Sequence, residues 1–225
     1  MRFSAAGSGH RRLGILAVAT LVVGTAAVVD AAPAAADPAP PPTDKVIIEI
    51  VKVNGSGCKK GSAVVAISPD QEAVTVVYSN YMAVVGVGAK NPDSRRNCKM
   101  DVKLTPPAGY TYAIAKADYR GFAFLESGAS AVERATYKFQ GGPDRSHVEH
   151  PFAGPFDDSW QTTDVTDPDS LIFGKCGKSR TLNIDTEIEV RAGTSDPETT
   201  TSFIAMDSTD VEINTTYHFV WKTCH

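Results

Sequence analysis

Three acids stand at i, i+2 and i+4 in the run NIDTEIEV: Asp185, Glu187 and Glu189. On a strand that spacing puts all three side chains on one face. Neighbours there approach the ~5–5.5 Å that a retaining glycosidase needs between its two carboxyls, so Glu187 and Glu189 are the pair a glycan hydrolase would use. The order of acids differs from the E-x-D-x-x-E of jelly-roll hydrolases, and a solvated outer face that deters edge pairing accounts for the same pattern.

A second set of acids lies in turn-like stretches. DVTDPDS carries Asp164, Asp167 and Asp169, and DSTD carries Asp207 and Asp210. Closely spaced aspartates with backbone carbonyls hold Ca²⁺, which is the cofactor such loops would take; otherwise none is expected. Aspartate is equally a default turn residue, and the spacing is not that of an EF-hand. His147 and His150 in HVEH would share a metal on a helix, but the following proline and preceding glycines argue against a helix. His218 and His225 complete the histidines downstream of the N-terminal region, and no G-x-S-x-G elbow accompanies them.

Aromatic rings offer different chemistry, since a ring face packs on the apolar face of a sugar. Trp160, set among polar residues in DDSWQTTD, is expected to be exposed. Tyr81, Tyr119 and Phe156 are the other rings named for a ligand surface. Core packing competes for each of them. Asp118 and Arg120 in DYRG read as a local ion pair and turn. Asn54 in NGS and Asn214 in NTT fit N-glycosylation sequons, which matter in a eukaryotic producer.

These side chains must be positioned by strands. Apolar residues alternate along VIIEIVKV, SAVVAIS, AVTVVYS, MAVVGVG, KMDVKL, YTYAIAKA, ATYKFQ, LNIDTEIEV and TTYHFVWKT. Turn residues separate these runs, and no amphipathic helix of ten residues appears. The pattern predicts an all-β fold: an antiparallel two-sheet sandwich, jelly-roll-like, each sheet with one wet face. The segment 141–170 breaks the rhythm and reads as a long Gly/Pro/Asp-rich loop with no clear strand, the first place to seek a binding surface.

The N-terminus reads as an export signal. Arg2, Arg11 and Arg12 precede the apolar run Leu13–Val29, and Ala34–Ala36 supplies an A-x-A cleavage site. The expected layout is a signal peptide over 1–36, a Pro/Ala-rich disordered spacer over 37–43 and one sandwich domain over 44–225. No other segment is apolar enough to span a membrane. The chain carries a net charge of −4, and losing the signal would remove three arginines and Asp30, so nucleic acid is not an expected partner. Export places the four cysteines in an oxidising compartment. Four cysteines allow three pairings, and sequence order favours Cys58–Cys98 and Cys176–Cys224.

The stretches VNGSGCKKGSA, YSNYMAVVGVGAKNPDSRRNCKM, KADYRGFAFLESG, FAGPF and KCGKSRTLNI, with a closing W-x-x-C, together resemble the secreted family called domain of unknown function 4360. The resemblance runs from about Val46 to Cys224. It implies small secreted proteins of actinobacteria and filamentous fungi, and it agrees with one disulfide-stapled domain. It carries over no catalytic residue. The leading expectation is therefore a secreted, monomeric, non-catalytic module that binds extracellular polysaccharide or the cell envelope. The alternatives are a glycan-active hydrolase on Glu187 and Glu189, and a secreted protein-interaction or structural protein.

Overall fold

The alternating runs become twelve strands in a computed structural model that describes residues 38–142, 146–206 and 214–224. In chain order these are β1 (Ile47–Asn54), β2 (Ala63–Ile67), β3 (Ala73–Tyr78), β4 (Met82–Gly86), β5 (Arg95–Thr105), β6 (Tyr110–Leu125), β7 (Ser130–Phe139), β8 (Ser146–Ala153), β9 (Phe156–Val165), β10 (Arg180–Arg191), β11 (Thr201–Ala205) and β12 (Thr215–Thr223). Residues 1–37, with the segment read as a signal peptide, and Asp207, Asp210 and His225 lie outside the described residues.

One sheet has five strands in the order β1-β5-β10-β7-β8, and the other has seven. In the seven-stranded sheet β2, β3 and β12 lead to the long strand β6. Tyr119 of β6 pairs with Thr215 on one side and Thr162 on the other, so β12 and β9 flank opposite edges. Phe124 pairs with Phe203 and Asp157, so β11 follows β12 along the same edge of β6, with β4 beyond it. The pairings are antiparallel throughout. The result is an all-β, two-sheet structure with two disulfides, consistent with a β-sandwich.

The inward-facing residues are those the alternation selects. Met100, Val102 and Leu104 of β5, Leu182, Ile184 and Ile188 of β10, and Tyr217, Phe219 and Trp221 of β12 are all buried in the common core. At roughly 25 cal/mol per Å² of apolar surface, this burial is the main favourable term of folding. Polar atoms are threaded through the same core. Thr186, Thr215 and Glu133 are fully buried. Tyr81 donates to Thr186 Oγ1 at 3.1 Å, bridging the sheets. Burial also raises the Tyr78 hydroxyl pKa to about 12.

Cys58, in the loop that carries the chain from one sheet to the other, is bonded to Cys98 of β5. Cys176, ahead of β10, is bonded to Cys224, just after β12. Loops of 40 and 48 residues are closed. In the chain-entropy model each closure contributes about 4 kcal/mol.

Two expectations about unstructured segments are corrected. The supposed loop over 141–170 contains β8 and β9, which turn at the cis Gly154–Pro155 peptide and belong to different sheets. Pro151 sits in β8, the outer strand of its sheet, where a missing N–H breaks no ladder. The Pro-rich stretch before β1 is not free of the domain either. The Ala39 N–H donates to the Trp221 carbonyl at 2.9 Å. Gln71 Nε2 donates to the carbonyls of Pro42 (2.6 Å) and Asp44 (3.0 Å), while its Oε1 accepts from the Val46 N–H at 2.6 Å. One amide side chain thus satisfies three backbone groups of the segment leading into β1.

Candidate functional site

Glu187 and Glu189 do share the outer face of β10, but neither is free. Glu187 pairs with Arg95 and, at 2.9 Å, with Arg134. Glu189 pairs with Arg134 at 2.8 Å and with Arg191 at 2.7 Å. Arg134 also reaches Glu149 on β8 at 2.7 Å, so one guanidinium ties β7, β8 and β10 together. Partial burial works to raise the Glu189 pKa, but hydrogen bonds from Arg191 and Arg134 outweigh it and hold the carboxyl below its ordinary range. A glycosidase acid needs the opposite, a carboxyl that keeps its proton near neutrality. This face is a cross-strand charge ladder, which does not suit acid–base chemistry.

Of the described acids named for calcium, Asp164 and Asp167 border one concavity and Asp169 does not join them. Asp164 points inward from β9, and its Oδ1 lies 2.8 Å from His150 Nε2. Asp167 instead caps a one-turn 3-10 helix, accepting from the Asp169 N–H at 2.9 Å. His147 and His150 are three apart on a strand and so face opposite sides, which removes the shared-metal reading. Accordingly, no cluster of three or more His, Cys, Asp or Glu side chains among the described residues could hold a metal ion.

The structure brings together two residues named for separate reasons, His150 and Asp164, and adds Glu133, which the motifs do not reveal. Glu133 lies opposite His150 in the β7–β8 pairing, and its Oε2 is 3.9 Å from His150 Nε2. Its side chain is 0% exposed, and neither oxygen has a hydrogen-bond partner among the described residues. Burial pushes the Glu133 carboxyl well above the ordinary carboxylate range, and the neighbouring Asp164 adds to the push.

Three of the four rings named for ligand binding are buried and form no surface. Trp160 is 5% exposed and Tyr81 and Tyr119 are 0% exposed. Phe156 is half-buried and packs against the core. Trp160 faces inward from β9, with its ring centroid 5.2 Å from that of Phe152. It fills the space left by Gly121, where an added Cβ would meet the indole at 2.3 Å. The polar residues flanking Trp160 point to the other face of the same strand, so their polarity carries no information about the ring.

A different set of rings occupies a wet face. Along β6 the small residues Gly121 and Ala123 point inward, and Phe122 and Phe124 point outward. Phe203 of β11 lies directly across from Phe124. Its ring is 6.0 Å from Phe122 at an interplanar angle of 28°, and 6.1 Å from Phe124 at 25°. The three half-buried rings form one strip of near-parallel planes, extended by Val84 and the exposed Met82 of β4. On the other side of β6 runs a polar row from β9: Asp157, Ser159 and Gln161, opposite Phe124, Phe122 and Arg120. The exposed Arg120 side chain has no hydrogen-bond or ion-pair partner among the described residues. Beyond it Asp118 accepts from Lys116 at 2.8 Å, Thr163 at 2.7 Å and His218 at 2.8 Å. Burial opposes ionisation of Asp118, but these bonds outweigh it and keep the carboxyl below its usual pKa. A signal for the strip is present in the sequence: GFAF alternates with the large residue on the side where a core strand would put the small one.

Fold and surface together define a disulfide-stapled β-sandwich with an aromatic strip on one sheet face. The chain belongs to the family described as "Domain of unknown function (DUF4360)", whose model matches residues 44–224. A protein of Arthroderma benhamiae described as "Uncharacterized secreted protein" is 29% identical over 184 residues, covering 82% of this chain and 74% of that one. Among solved structures, a family 11 carbohydrate-binding module from Clostridium thermocellum, in complex with a β-1,3-1,4-mixed-linked tetrasaccharide, aligns over 77% of this chain and 88% of its own at 8% identity. The TM-score of 0.18 is too low for that likeness to say anything of fold or ligand here. No helix among the described residues is long and apolar enough to cross a membrane.

Proposed function

We propose that this is a secreted, non-catalytic module that binds extracellular polysaccharide, and that the Phe122–Phe203–Phe124 strip is its binding face. The observation that carries the reading is the strip itself: near-parallel rings on a wet sheet face, bordered by hydrogen-bonding side chains. Pyranose rings have apolar C–H faces and hydroxyl edges, and strands lie about 4.8 Å apart, so one sugar spans both ring and polar row. Solvent-facing apolar clusters of this kind are the informative exceptions on a soluble surface. The extracellular assignment is supported by the two disulfides, by the signal-like N-terminus and by the secreted relative.

Co-sedimentation of the oxidised protein with insoluble chitin, cellulose, β-glucan and peptidoglycan tests the proposal. Retention on one polymer is expected, with no soluble sugar released. The triple variant F122A/F124A/F203A is expected to lose that retention while keeping its thermal transition. Retention unchanged in the variant, or absent on every polymer, would overturn the assignment and leave the strip as a protein-docking face.

A further inference from the structure

A concavity lies between the edge strands β8 and β9. Tyr137, Val148, His150, Asp164, Asp167 and Ser170 line it, and its volume is about 450 Å³. It is built by the edge of each sheet and the turn that follows β9. A neighbouring trough of about 270 Å³ shares Tyr137, Thr166 and Ser170 with it, and continues over Phe139, Ile172 and Leu182, with Lys138 also on its wall and the Arg180 guanidinium 3.6 Å over the Phe139 ring.

Two features of the larger concavity bear on a ligand. It is lined by two carboxyls, and among the described residues no lysine or arginine lines it. Asp164 is only 6% exposed, yet its Oδ2 has no hydrogen-bond partner among the described residues. Buried acceptors left unpartnered cost about 1–3 kcal/mol each, and more when charged. Immediately behind stands Glu133, also without a partner for either oxygen. Asp164 and Asp167 therefore supply acceptors and negative charge, with the rings of Tyr137 and His150 beside them. A cation with several N–H donors satisfies such a set, and the adjoining trough accepts an apolar body attached to it.

We propose that this concavity binds a primary ammonium group, with the carrier of that group lying in the trough toward Phe139 and Ile172. The site is separate from the aromatic strip and does not depend on it.

The test is a two-dimensional NMR titration of the intact, oxidised protein with n-butylammonium at neutral pH, and with n-butanol as the uncharged control. Saturable shifts at His150, Tyr137 and Asp167 are expected with the ammonium and not with the alcohol. Asp167→Asn, which keeps the side-chain cap on Asp169, is expected to weaken binding about tenfold or more. Asp164→Asn is expected to do the same, but the exposed Asp167 position keeps the test valid if that buried variant is unstable. Spermidine and a glucosamine tetramer then distinguish the carrier, a linear polyamine or an amino sugar; either result supports ammonium recognition. F122A/F124A/F203A should bind as the parent does. Absence of saturable shifts, equal response to butanol, or undiminished binding by Asp167→Asn would overturn the proposal.

Discussion

Glu133→Gln is the substitution whose effect can be followed furthest from the structure. In the unfolded chain Glu133 titrates near the ordinary glutamate value of 4.5, whereas in the fold burial, then Asp164, raises its pKa well above that. Between those two values the folded protein holds one proton more than the unfolded one. Stability then falls as pH rises, at about 1.4 kcal/mol per pH unit. The contribution is fully present below the unfolded value, declines through the window, and is gone above the folded value. A glutamine side chain in its place would be neutral at every pH. The variant should therefore match its parent within about 1 kcal/mol near pH 4 and gain on it steadily above pH 5 until the folded carboxyl ionises. Urea denaturation of both proteins across pH 4–8, disulfides intact, gives the difference directly. Carboxyls with lowered pKa values, such as Asp118, Glu149 and Glu189, affect both proteins alike and cancel in the subtraction. Parallel stability profiles would refute the reasoning, because they would mean Glu133 titrates in the fold as it does in the open chain.

Two further substitutions separate packing from recognition. Trp160→Ala should cost about 3–5 kcal/mol by opening a cavity against Gly121 and Phe152, and should leave polysaccharide retention intact at temperatures where the variant is folded; loss of retention in a fully folded variant would contradict a core role. Glu189→Gln should destabilise by about 1 kcal/mol at neutral pH, since the group's lowered pKa contributes stability above its unfolded value and loses it as pH falls. Chemical denaturation at pH 7 and pH 2.5 should show that difference closing in acid, and a constant difference would contradict the ion-pair account.

Much of the fold can be read from period-two alternation, and the failures have physical causes. Runs such as KMDVKL and TTYHFVWKT announce which face is buried because their inward residues are large and apolar. β8 and β9 carry no such signature. They are edge strands, and β9 alternates Asp157, Ser159, Gln161 and Thr163 outward with an inward set that includes Asp164. Polar on both faces, such a strand resembles a loop. The neighbours of Trp160 mislead, because on a strand adjacent residues report on the opposite side. Glu133 is within reach of the pattern: stepping ATYKF back by two residues from Ala135 places it on the inner face. A charged residue at that position reads as a break in the alternation, when it is a buried acid. The aromatic strip is hidden by the converse inversion, phenylalanine outside and glycine or alanine inside. The functional candidates are therefore the places where alternation and polarity disagree, and only the paired strands show which of the two prevails.

The position of β12 has a consequence for the order in which the molecule can be made. This strand lies inside its sheet, between β3 and β6, and Cys224 immediately after it closes the bridge to Cys176. A ribosome or translocon releasing the chain from its N-terminus delivers β2, β3 and β6 long before the strand that joins them. Until β12 emerges, the seven-stranded sheet remains two separate pieces with open edges. Completion of the sheet thus waits on β12, and the second disulfide forms only once that strand has arrived.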